Sequence, residues 1–139
     1  MENVLDLESL DTNSLKLLLK DAMDKKREIA QGDFLKFVKE VWPDFIEGKH
    51  HKIYAEKLNR IANGELKRLI VNMPPRHTKS EFASNLFPAF YMGRHPKAKL
   101  IQTTHTGELA IRFGRKAKNM IESSEYEKVF PEVTLAADS

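Results

Sequence analysis

The sequence predicts an α/β fold: the N-terminal βαβα part of a parallel sheet, preceded by a helical segment. Three observations predict it. "KRLIVNM" places Leu69, Ile70 and Val71 side by side, an apolar run with β-branched residues prominent, suited to a strand covered on both faces. "KLIQTT", residues 99–104, gives a second buried strand. After each of them apolar residues recur at helical spacing, and strands alternating with helices build parallel sheets with right-handed crossovers.

The elements follow in order. From about Asn13 to Ala30, Leu15, Leu18, Leu19, Ala22, Met23 and Ile29 fall mostly at helical spacing, with Asp11, Thr12 or Asn13 as N-cap. Gly32 and Asp33 interrupt this helix; "FLKFVKEVW" forms a second, short one, its aromatics in the core, and Pro43 stops it. Residues His51 to Ala62 set Tyr54, Leu58 and Ile61 on one face, and Gly64 in "NGE" suits a left-handed cap. The first strand comes next. From Lys79 onward Phe82, Ala83, Leu86, Phe87 and Phe90 mark a buried helix that Pro88 bends. The second strand leads into a helix from Gly107 to Ser123, with Leu109, Ala110, Phe113, Ala117 and Ile121 as its stripe. The tail "SSEYEKVFPEVTLAADS" reads as a turn or a single helical turn.

This divides the chain into a helical segment, 1–47, and a nucleotide-binding part, 48–139. A sheet of two strands leaves its edges bare, so the chain is expected to be the front part of a larger domain. Its 139 residues can bury a core without metal or disulfide staples. With no cysteine, disulfide frameworks and thiolate metal sites are excluded, which fits a reducing compartment. No apolar stretch approaches the roughly 20 residues of a membrane span, and the acidic start "MENVLDLESLD" is not a signal peptide. The net charge of +3 is too small to decide for or against nucleic acid.

The chemistry concentrates in "LIVNMPPRHTKSE". In a phosphate-binding loop of pattern GxxxxGK[ST], backbone N–H groups and a helix N-terminus point at the phosphates, and the pattern sits between strand and helix. Here the register runs from Met73 to Ser80, after a predicted strand and before a predicted helix. Lys79 would place its ammonium on the β- and γ-phosphates of ATP, and Ser80 would offer a hydroxyl to Mg²⁺. Met73 and Thr78 hold the two glycine places, and a residue with a Cβ resists positive φ. Either the loop follows a different path, or Thr78 is strained. Arg76 can neutralise charge on a γ-phosphate, as an arginine finger supplied in cis would. The alternative is a solvated turn with a basic residue.

Those residues carry a resemblance. "RLIVNMPPRHTKSE", followed by "FPAFYMGRHPKAKLIQTTHTGELAIRFGRKAKNMIESSEY", resembles the N-terminal ATPase portion of the large terminase subunit of tailed bacteriophages, whose variant Walker A loop reads "PPRHGKSE". Only Thr78 departs from it. The resemblance covers Gly48 to Ser139, and the segment Met1 to Phe45 matches only loosely. It implies a P-loop motor of the ASCE type that hydrolyses ATP with Mg²⁺ to drive double-stranded DNA into a preformed capsid. It also implies a ring homo-oligomer on the portal protein, a small terminase subunit as partner, and the host cytoplasm as the place of work. Pro75, Arg76, His77, Thr78, Lys79 and Ser80 would then form the nucleotide loop, and His51 and Tyr54 would flank adenine. In such a ring Arg112 or Arg115 can reach a neighbour's ATP in trans.

Other features weigh against a complete enzyme. No apolar strand ends in Asp-Glu to serve Mg²⁺ and position the attacking water; "VTLAADS" offers only Asp138, and nuclease carboxylates are absent. The chain alone is therefore expected to be inactive in hydrolysis. His50 and His51, adjacent on a helix, make a poor chelate. His77 reads equally as structural, and His105, with Thr103, Thr104 and Thr106, sits where a helix needs a cap. The alternatives are another P-loop protein such as a helicase, or a non-catalytic module whose basic helix, with Arg112, Arg115, Lys116 and Lys118, contacts DNA or protein.

Overall fold

Capping side chains set the corners of the N-terminal half. The computed structural model describes residues 11–136; the acidic start, residues 1–10, and Asp138 lie outside the described residues. Helix α1 spans Thr12–Gly32 and starts where Asp11 accepts the Ser14 N–H at 3.1 Å. Asp33 then closes α1 and opens α2, Phe34–Val41, by accepting the Lys36 N–H at 2.9 Å. Its other oxygen accepts from Asn59 Nδ2 at 2.9 Å, while Asn59 Oδ1 accepts the Phe34 N–H at 2.7 Å. Two side chains thus lock the α1–α2 corner onto α3, Lys49–Ala62. Gly64 follows α3 at φ 78°, the left-handed cap its sequence predicts.

The stripe predicted for α1 is mostly not a core face. Of its members Leu18, Leu19, Met23 and Ile29 are exposed, and Ala30 is the residue of α1 that is buried. The C-terminal part of α1 docks instead through Arg27 Nε to the Lys128 carbonyl (3.0 Å) and Gln31 Nε2 to the Val129 carbonyl (2.7 Å). In α2, by contrast, Phe34, Phe37, Val38 and Val41 are all buried.

The core is an aromatic cluster. Phe34 meets Phe82, Phe87 and Phe90 edge-on at 5.2, 5.7 and 5.5 Å between ring centroids, the arrangement that aligns ring edge with ring face. The tail contributes more than one turn: α7, Ser124–Val129, buries Tyr126 fully, and its hydroxyl donates to the Ala89 carbonyl at 2.9 Å. Burial holds the Tyr126 hydroxyl protonated by pushing its pKa far up. Residues from both 1–47 and 48–139 form this one cluster.

A continuous helical run follows the candidate loop: α4, Lys79–Glu81, a π segment, Phe82–Leu86, and α5, Phe87–Arg94. Pro88 explains the π segment. Lacking an N–H, it leaves the Ser84 carbonyl without its helical donor, and the ladder shifts so that Phe87 N–H reaches the Phe82 carbonyl. Gln102 Nε2 donates to Ser84 O at 2.7 Å in place of the missing proline N–H. Helix α6, Gly107–Ile121, is capped by Thr106, whose hydroxyl accepts the Leu109 N–H at 3.3 Å; His105 beside it is exposed and plays no such part.

The predicted α/β fold is not what the chain adopts. Among the described residues there is no strand and no sheet, so the parallel-sheet P-loop architecture is absent. "KRLIVNM" and "KLIQTT" lie outside every helix and form no backbone ladder with any of the described residues. Leu69, Val71 and Met73 are half-buried against the aromatic core while Ile70 is 87% exposed, and in the second segment Ile101 is 91% exposed. Neither segment is therefore covered on both sides. Strand propensity describes a fit to a pleated, paired surface, and where no ladder partner is supplied an apolar run packs as irregular chain. Among the described residues, no helix is long and apolar enough to cross a membrane.

Candidate functional site

The chain from Leu69 to Thr78 reaches the site along the core, with alternate side chains inward, and turns at Pro74 and Pro75. Two residues in the turn have positive φ without being glycine: Arg76 at 64° and Thr78 at 59°. For a β-branched residue such as Thr78 that conformation costs about 1–2 kcal/mol, so its surroundings must hold it. The strained one of the two paths that the sequence left open at Thr78 is therefore the one observed. Thr78 is also the N-terminal neighbour of the helical run, and the Phe82 N–H is the first to reach back, to Thr78 O at 2.9 Å. The amides of Lys79, Ser80 and Glu81 precede that first bond, as the opening amides of any helix do.

These residues line an open cleft of about 540 Å³ with Met73, Pro75, Arg76, Thr78, Lys79, Ser80 and Glu81 on its walls. Lys79 reaches back across the loop and donates to the Met73 carbonyl at 3.3 Å. Arg76 and Ser80 are exposed. His77 turns its Nδ1–H onto the Pro75 carbonyl at 2.9 Å, a contact inside the turn. The far wall carries Glu81, which forms an ion pair with Lys116 of α6 and accepts from Asn85 Nδ2 at 3.0 Å. Burial pushes the Glu81 carboxyl up, but Lys116, Asn85 and the nearby charge of Arg112 outweigh it and hold it below its ordinary value. Glu81 is thus ionised and largely neutralised by α6.

His51 lies beneath the loop. Its Nδ1 accepts the Gly48 N–H at 2.8 Å, and its Nε2 meets Thr78 Oγ1 at 2.5 Å. Thr78 Oγ1 already donates its proton to the His77 carbonyl at 2.6 Å. The threonine oxygen is therefore the acceptor, and His51 is the neutral Nε2–H tautomer. Burial and the charges of His50 and His77 hold its pKa below the ordinary value, against the opposing pull of Glu47.

The structure brings Pro75, Arg76, His77, Thr78, Lys79, Ser80 and His51 together. Tyr54 stacks on Phe82 at 5.6 Å and lines a separate apolar groove of about 290 Å³, which meets the loop at Met73. Arg112 faces Glu81 closely enough to affect it, and both Arg112 and Arg115 are exposed. Glu81 with Lys116, and the Gln102–Ser84 contact, are the site features that sequence reasoning missed. Their only sequence signal is position: Glu81 is one helical residue beyond Ser80, and Gln102 is the polar break in an apolar run. Among the described residues no group of three or more histidine, aspartate or glutamate side chains could hold a metal ion. Ser80 offers one hydroxyl, so Mg²⁺ fits here only as an ion carried in on phosphate oxygens and its own waters.

No protein-family model, no curated protein and no solved structure matches the chain.

Proposed function

We propose that the Met73–Glu81 loop binds the phosphates of ATP with Mg²⁺, and that the chain is the ATP-binding portion of a DNA-packaging motor of the terminase large-subunit kind. The observation that carries this reading is the open cleft over the start of the helical run. In it, among the described residues, the Lys79 ammonium is anchored only to the Met73 carbonyl, Arg76 stands free beside it, and Glu81 is neutralised from behind. An arriving phosphate gives Lys79 a charged acceptor in place of a neutral one, and charge-assisted hydrogen bonds are roughly twice as strong. Ser80 and the opening amides add donors at the positive end of the helical run.

The proposed partners are those of that role: double-stranded DNA, a portal protein, a small terminase subunit and further copies in a ring, in the host cytoplasm. Binding is proposed for this chain and turnover is not, because the sequence has no apolar run ending in Asp-Glu and the described residues hold no group of three or more side chains that could bind a metal ion. The test is titration of a fluorescent ATP analogue with Mg²⁺. Lys79→Ala should weaken binding by at least about tenfold, the loss of one charged phosphate contact. Equal affinity in both proteins would overturn the reading. A second reading, a DNA-binding module, draws on the exposed Arg112 and Arg115 one turn apart on α6. It predicts DNA binding that falls steeply with salt, and no response to ATP.

A further inference from the structure

We propose that His51 is a positioning residue of the phosphate loop, whose Nε2–H bond to Thr78 Oγ1 holds Thr78 in the left-handed conformation that glycine adopts unaided. The inference rests on the reading of the loop as an ATP site and adds what keeps that loop in shape.

Thr78 departs from the glycine that such a loop uses, yet its φ of 59° lies in the left-handed region that glycine enters freely. Something must supply what the missing glycine does not. A single relay does so: Gly48 N–H to His51 Nδ1, His51 Nε2–H to Thr78 Oγ1, and Thr78 Oγ1–H to His77 O. It ties the first turn of α3 to the loop backbone. The ring packs against two neighbouring aromatic side chains, with Phe45 at 4.8 Å and Phe82 at 5.3 Å between centroids, so the donor is aimed before any ligand arrives. The hydroxyl of Thr78 is thereby given a purpose that neither glycine nor valine could meet.

The test is a double-mutant cycle on the full chain: wild type, His51→Gln, Thr78→Gly and the double variant. Each is titrated with fluorescent ATP analogue and Mg²⁺, and each is melted without nucleotide. His51→Gln should weaken analogue binding by about tenfold where Thr78 is present and by less than about twofold in the Thr78→Gly background, the non-additivity of residues in direct contact. Thr78→Ser should retain binding and Thr78→Val should lose it, a pair that leaves the core under His51 untouched. Imidazole ¹⁵N–¹H correlation should place the proton on Nε2. Equal losses in both backgrounds, or a proton on Nδ1, would overturn the proposal. If wild type and Lys79→Ala bind the analogue equally, the ATP reading fails by itself. The hydrogen bond is then judged on the melts, where additive shifts of the two substitutions reject it and coupled shifts uphold it.

Discussion

The aromatic cluster and the two extended segments obey different physics. Phe34, Phe37, Phe82, Phe90 and Tyr126 are each fully buried, drawn from α2, the helical run and α7, and each ring touches others edge-on or tilted. Ile70 and Ile101, in sequence stretches that are no less apolar, stand almost wholly in solvent. Hydrophobicity alone therefore does not decide what is core; the elements that carry it must also find a partner for their backbone. A helix satisfies its own N–H and C=O groups and needs only a face to bury, whereas an extended segment depends on a neighbouring strand. The cluster sets the stability of the molecule, and the extended chain carries the candidate loop on a few named contacts.

The comparison breaks first at the core. Phe34→Ala removes a ring in edge-on contact with three others, and should cost about 3–5 kcal/mol in chemical unfolding, a large share of a small domain's stability. A loss under 1 kcal/mol would mean that the cluster is not the organising centre. Gly93→Ala comes next. A Cβ there would fall 2.6 Å from the Phe130 ring, so overpacking should cost about 1–3 kcal/mol, read by the same unfolding curves.

Much of the helical skeleton was legible because its signals are local. The Asp33 interruption, the stop at Pro43, the left-handed Gly64 and the periodicity of α2 and α3 each need only a few neighbouring residues to act. The sheet was misread because Leu69-Ile70-Val71 states a preference that only a distant partner can fulfil, and that partner is not among the described residues. The α1 stripe was misread for a related reason: an amphipathic pattern shows which face is apolar, not whether anything covers it. At the candidate site, that Arg76, Lys79 and Ser80 line one cleft follows from their order along the loop. The support was not legible. His51 and Thr78 are 27 residues apart and Glu81 and Lys116 are 35 apart, and no local pattern announces such pairs.

A pH series separates the loop's support from the rest. The His51 pKa is held below 6.5 in the folded chain, first by burial and then by His50 and His77, so the unfolded chain takes up this proton more readily. Stability should be full above 6.5 and fall as pH drops toward the folded value. His51→Gln should flatten the melting-midpoint profile in that window. Glu81 acts lower: its carboxyl is also depressed, so its contribution is present above 4.5 and is lost as pH falls through the folded value. Lys116→Met should remove part of that acid leg while leaving the histidine leg intact. If both substitutions change the same window, the two supports are not independent.

The smallest effect belongs to the extended chain. Ile70 is 87% exposed, so Ile70→Lys should change unfolding free energy by no more than about 0.5 kcal/mol, although it removes a large apolar residue from the centre of an apolar run. Hydrogen exchange gives the matching readout. Amides of residues 68–72 have no backbone acceptor among the described residues and should exchange quickly, while those in the middle of α3, such as Leu58, should be protected by the helix and the core. A loss above 2 kcal/mol for Ile70→Lys, together with slow amides across 68–72, would mean that this segment is paired in solution. In that case the run would be behaving as the buried strand its composition predicts, and the division between a self-sufficient helical core and a loosely held loop would fail at its weakest point.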